Sequence, residues 1–164
     1  MSIPVPLPAV CPACGGAQSN GISCEQHFHE LLVWEHQQPD LGVVHHLTVL
    51  CYHIQHPHHY SRAGLETAIQ LLVDFVRHGA NPAAVRQQKR AELQSGQRTW
   101  KITPTPGDVG VYANPQAWSL TIQTVAAVGP QAYIENVRRW AAAVLADLEA
   151  AGNLPGWQAA APTP

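Results

Sequence analysis

Positive charge is scarce in this chain. Nine lysines and arginines stand against eleven acids, a formal charge of −2 over 164 residues. No basic stripe is visible, which speaks against a nucleic-acid binder. No apolar run approaches the roughly 18 residues that a membrane-crossing helix needs. The first ten residues, MSIPVPLPAV, lack a basic start and carry three prolines, so they do not read as a signal peptide. There is no internal repeat and no βαβ pattern. What remains is an expectation of a single soluble domain in the cytoplasm. Thiols stay reduced there, so four cysteines suggest metal or redox chemistry before disulfides. Apolar residues make up 46%, enough for a packed core.

Histidine is what the chain has in excess. There are ten, and nine lie between His27 and His59. Around them the pattern is helical. Residues 24–37 read as a first helix with Phe28, Leu31 and Leu32 on one face, ended by Pro39 and Gly42. Residues 43–56 read as a second, stopped by Pro57. Ser61 caps a third through His78, with Gly79 at its C′ position. Asn81-Pro82 opens a polar fourth segment ending near Gly96, and 97–113 reads as an irregular loop. Asn114-Pro115 opens a fifth helix to about Val128. After Gly129-Pro130, a stripe of Tyr133, Val137, Trp140, Val144 and Leu148 marks a long amphipathic helix ending at Gly152. The expected fold is mainly α, a helical bundle with a zinc-knuckle-like turn at its N-terminus. Residues 1–10 are a proline-rich lead-in, 11–152 one zinc-binding domain, and 153–164 a flexible tail.

The metal expectation rests on spacing. Cys11 and Cys14 form a CPxCG turn, whose glycines let two thiolates face one ion about 2.3 Å away. Cys24 follows at a usual knuckle span. A redox CxxC would need a thioredoxin-like βαβ setting, which is missing. The fourth ligand has two main candidates. His27 makes a local CxxH with Cys24. His56 has a geometric case: if the first two helices form an antiparallel hairpin centred near residue 40, position 24 lies beside position 56. Cys51, on the Leu47 and Ile54 side of the second helix, reads better as a small buried hydrophobe. His56 is preferred and His27 is the alternative.

The same hairpin sets Glu35 beside His45. Glu35 falls on the core-facing line of Phe28, Leu31 and Leu32, and a buried carboxylate needs a partner. On the second helix, His45, Val49, Tyr52 and His56 share a sector of about 60°. The Glu35–His45 pair reads as a buried structural bond, or as a general base or second metal site. His46 and His53 are expected at the surface, His58 and His59 in an exposed loop, and Trp100 and Trp118 as core or loop anchors.

These motifs resemble an uncharacterised bacterial family, one of the domains of unknown function. CPACGG, Cys24, LLVWE at 31–35, HHLTVLCYHIQHP at 45–57, Ser61, Trp100 and VRRW at 137–140 carry the resemblance. It covers most of the chain, and the helix reading H-x-LTV-x-x-Y-x-x-QHP is its most specific part. The resemblance implies that Cys11, Cys14, Cys24, Glu35, His45, Tyr52, Gln55 and His56 match the family pattern, which lacks histidine at 27, 46 and 53. This favours His56 over His27.

Together these readings point to a Zn2+-binding helical protein. Its metal is mainly structural, and a polar cleft lies around Glu35, His45 and Tyr52. A metal-dependent hydrolase using that cleft is the first alternative, with Glu35, His45 and Tyr52 as candidate catalytic groups. A metal-handling or regulatory binding module is the second. The expected partner is a small molecule or a protein, with no nucleic acid and no membrane.

Overall fold

The computed structural model describes residues 9–18 and 21–156. The expected lead-in, save its last two residues, and most of the expected tail lie outside them. The chain is mainly helical: α1 (Cys24–Gln37), α2 (His45–Gln55), α3 (Arg62–Arg77), α4 (Pro82–Gln94) and α5 (Pro130–Ala150). Among the described residues there is no strand, only two isolated β-bridges. No helix among the described residues is long and apolar enough to cross a membrane. The chain divides into two compact units. One holds Met1–His56 with Ala117–Val144, and the other Pro57–Gln116 with Leu145–Pro164.

In the first unit, α1 starts where its cap dictates. The Ser23 hydroxyl accepts the Gln26 N–H while the Gln26 side chain accepts the Ser23 N–H, a reciprocal capping box. Phe28, Leu31 and Glu35 are buried on its inner face, and Leu32 is half-buried. A 3-10 turn, Pro39–Val43, joins α1 to α2, so α2 begins at His45 rather than at 43. The hairpin is centred on Asp40. Glu35 meets His45, Phe28 stacks on Tyr52 and Cys24 reaches His56, pairs lying five, twelve and sixteen residues either side of it. Helix α5 closes this unit with Tyr133, Val137, Trp140 and Val144, all fully buried.

Segment 114–128 departs from the sequence reading. In place of a helix it carries a single 3-10 turn, Ile122–Thr124, in otherwise irregular backbone. Its carbonyls are engaged elsewhere. The Gln55 amide donates to Leu120 O at 2.6 Å, the His27 ring to Val125 O at 2.6 Å, and the Thr124 hydroxyl to Thr121 O at 2.7 Å. A helix would need those acceptors four residues on, and β-branched Thr121, Ile122, Thr124 and Val125 favour it little. The expected cap residue, Asn114, instead exchanges hydrogen bonds with Asn153 in the second unit.

The second unit is built on α3. Ser61 caps it by accepting the Gly64 N–H at 3.0 Å, and Leu65, Ala68, Ile69 and Leu72 are buried. Gly79 follows at φ +62°, the left-handed conformation that lets a glycine end a helix. Leu148, the last residue of the α5 stripe, is fully buried here. Helix α4, capped by Asn81, contains no buried residue.

Candidate metal centre

The knuckle is a short closed loop. Val10 and Ala17 form an antiparallel bridge, and Gln18 N–H donates to Ala9 O. Inside it, Gly15 N–H donates to Cys11 O at 2.8 Å and Cys11 N–H to Gly16 O at 2.9 Å. The turn needs both glycines, for different reasons. Gly15 sits at φ +73°, where side chains are strained. A Cβ on Gly16 would lie 2.6 Å from Thr121 Oγ1 and 3.3 Å from Cys14 Sγ.

The turn aims Cys11 and Cys14 at the first residue of α1, Cys24, and at the residue ending α2, His56. The four ligand atoms all lie within 4.8 Å of one another, and all four residues are buried. Cys14 Sγ and Cys24 Sγ are 3.6 Å apart, and Cys11 Sγ and His56 Nε2 are 3.5 Å apart. A disulfide would hold the sulfurs about 2.05 Å apart, so these are free thiols. A tetrahedral ion with bonds of about 2.3 Å to sulfur and about 2.05 Å to nitrogen has edges of roughly 3.8 Å and roughly 3.5 Å. The residues present therefore fit such an ion.

The surroundings prepare each ligand. His56 Nδ1 lies 2.7 Å from the Tyr52 carbonyl. A carbonyl only accepts, so Nδ1 carries a proton and Nε2 is the nitrogen that faces the cysteines. The Gly16 N–H donates to Cys14 Sγ at 3.4 Å and the Gln123 amide to Cys24 Sγ at 3.5 Å. Three thiolates and a divalent ion carry a net charge of −1, and such donors stabilise it. The hydrogen bond from Cys14 holds the Cys24 thiol well below the usual thiol range, against the cost of burial. Its place at a helix N-terminus acts in the same direction. Cys14 is pushed up as the donor of that bond and by burial. Burial opposes charge on His56, but its hydrogen bonds to Cys24, Tyr52 O and Cys11 outweigh it, so its value is raised.

The other histidines and cysteine lie apart from this group. His27 donates through Nε2 to Val125 O. Cys51 is fully enclosed, and burial pushes its thiol up. His46 and His53 are half-buried rather than at the surface, and His53 stands edge-on to Phe28 and Tyr52. His58 and His59 are exposed, and Trp100 and Trp118 are half-buried.

Glu35 and His45 form a second polar cluster in the same unit. His45 Nδ1 donates to Glu35 Oε2 at 2.6 Å, while Thr48 and Tyr133 hydroxyls donate to Oε1 at 2.7 and 2.6 Å. The carboxylate thus joins α1, α2 and α5. Burial and the bond to Glu35 push the Tyr133 phenol up. Tyr52 belongs to the metal side, with its ring stacked between Phe28 at 4.0 Å and His56 at 4.3 Å. Gln55 donates to Leu120 O and accepts from the Trp140 indole, also away from Glu35. Gln123, Thr48 and Tyr133 were missed by sequence reasoning. Gln123 lay in a supposed helix. Tyr133 and Thr48 sit among the packing positions of α5 and α2, and only the buried acid on α1 hinted at donors facing it.

The chain belongs to the family of unknown function DUF5946, whose model matches residues 9–149. No curated protein and no solved structure matches it.

Proposed function

We propose that this chain is a zinc protein whose ion is structural, held by Cys11, Cys14, Cys24 and His56. The observation that carries the reading is the convergence of four buried ligand atoms from the knuckle, the start of α1 and the end of α2. Three cysteines and one histidine suit zinc among common metals, and four protein ligands leave no open position for a metal-bound water. That favours a structural over a hydrolytic ion. It also favours firmly held metal over the exchangeable binding of a metal-handling protein. Free buried thiols fit a reducing compartment such as the cytoplasm.

Elemental analysis of purified protein tests the reading. About one zinc per chain is expected, resistant to dialysis. No transition metal, together with a Cys11–Cys14 disulfide formed under reducing conditions, would overturn it.

A second reading concerns where the protein works. Buried Glu35 orients His45, whose side chain stays 52% exposed. With Nδ1 committed to Glu35, Nε2 is available to a ligand. In this reading His45 is the exposed head of a polar binding site and Glu35 its positioning residue. Glu35 is a poor general base for hydrolysis, because it is enclosed by three donors. His45→Ala that retains zinc but alters ligand binding would support the role, and unchanged binding would remove it.

A further inference from the structure

Helix α4 buries no residue; Pro82, Val85, Lys89 and Glu92 are half-buried along one side, and the opposite side is exposed and mostly polar. Such a helix has little packing to hold it and leans on its side-chain pairs. Its own pairs centre on Glu92, which takes Lys89 at 2.9 Å and Gln88 at 3.2 Å. Arg86 and Arg90 remain. They are exposed, one turn apart, and make no ion pair or side-chain hydrogen bond among the described residues. Like charges at this spacing destabilise an isolated helix. The basic run continues beyond the helix with Arg98, whose guanidinium lies 4.6 Å over the Trp100 ring, and exposed Lys101. From 86 to 101 there are five cations and one acid, a local charge of +4 in a chain whose total is −2. The whole-chain balance conceals this concentration.

We propose that the exposed face of α4, with Arg98 and Lys101, docks on the phosphate backbone of a nucleic acid. The unpaired cations of the helix face are arginines, whose fork matches phosphate and carboxylate oxygens alike. Two observations favour phosphate over an acidic protein. Exposed Gln87 and Gln94 flank them, and amide side chains also contact phosphates. The exposed side of α4 offers Leu93 alone as a large apolar group, with Ile102 beside Lys101, whereas a protein interface needs an apolar centre. The helix is about 20 Å long at 1.5 Å per residue, so it can follow several phosphates.

Full-length protein is titrated into labelled duplex DNA, duplex RNA and single-stranded DNA, with binding read by fluorescence anisotropy. Saturable binding to at least one is expected. With four phosphate contacts, from Arg86, Arg90, Arg98 and Lys101, a slope of about −0.9 each would weaken it roughly 150-fold between about 50 and about 200 mM salt. The double variant Arg86→Glu with Arg90→Glu is expected to lower the salt slope by about 2 and weaken binding at least tenfold, with melting temperature and metal content unchanged. No saturable binding at the lower salt overturns the proposal, as does binding that the double variant leaves intact. Poly-glutamate of matched charge binding as tightly as the nucleic acids would hand the face to an acidic protein and also overturn it.

Discussion

His56→Ala is the perturbation that separates a metal site from a cluster of buried thiols. In the intact protein His56 Nε2 lies 3.5 Å from Cys11 Sγ, and its ring stacks on Tyr52 at 4.3 Å. Structural zinc in small sites contributes about 10–16 kcal/mol, roughly 2.5–4 kcal/mol for each of four ligands. Losing one ligand is therefore expected to weaken zinc binding by roughly 60-fold to 10³. The same loss, at about 2–4 °C per kcal/mol for a chain of this size, lowers the melting temperature by roughly 5–16 °C. Competition against a chromophoric chelator reads the first quantity, and a melt at saturating zinc helps separate it from lost packing. His27→Ala is the control. Its ring bonds Val125 O and is expected to leave zinc affinity within about threefold, below 1 kcal/mol. Unchanged affinity in His56→Ala with a clear loss in His27→Ala would refute the assignment and give the fourth position to the local CxxH.

Tyr133→Phe removes one donor to the enclosed Glu35 carboxylate and is expected to cost about 1.5–3 kcal/mol in urea unfolding. His45→Ala, whose side chain is 52% exposed, is expected to cost under about 1 kcal/mol, because solvent can replace the donor. If His45→Ala is the costlier of the two, Glu35 depends on its exposed partner. Metal affinity is expected to fall with pH. Cys14, raised by its bond to Cys24, and His56, raised by its hydrogen bonds, must both give up protons to bind the ion. Each proton displaced weakens binding about tenfold per unit of falling pH, so a pH-independent affinity between about 6 and 8 would contradict the assignment. Thiol titration should find no reactive cysteine in loaded protein. Chelation should release Cys11, Cys14 and Cys24, and Cys51 should follow only as loss of the ion unfolds the chain, because it is fully enclosed and its thiol is pushed up; a reactive thiol in loaded, folded protein would show otherwise.

Much of the helical framework was legible because it depends on local signals. The start of α1, the cap at Ser61 and the stripe of α5 follow from spacing and from a few polar residues. The meeting of Cys24 with His56 and of Glu35 with His45 was also legible, since a hairpin centred near 40 pairs positions by subtraction alone. Segment 114–128 was not. Its backbone is set by Gln55, His27 and Asn153, donors and acceptors distant in sequence. No periodicity within the segment encodes their approach. For the same reason Gln123 was hidden, although it donates to Cys24 Sγ. Tyr52 shows a subtler limit: it shares a helix sector with His45, yet three turns of α2 have no single environment, and its ring packs against His56.

The span from Cys11 to His56 has a topological meaning. These ligands are 45 positions apart, and an ion joining them closes that length of chain into a ring. If it constrains the unfolded chain as a covalent tie would, a loop of this size is restricted by roughly 4 kcal/mol of entropy. A disulfide of equal reach would be opened by the reductants of a thiol-rich compartment. A metal tie is indifferent to them and answers instead to acid and to competing chelators. A chain held by such an ion would answer to metal supply rather than to reductants, and oxidation of its thiolates would still release the tie. Growing from its N-terminus, it would carry three sulfurs ready for an ion well before the imidazole that completes their shell has been added.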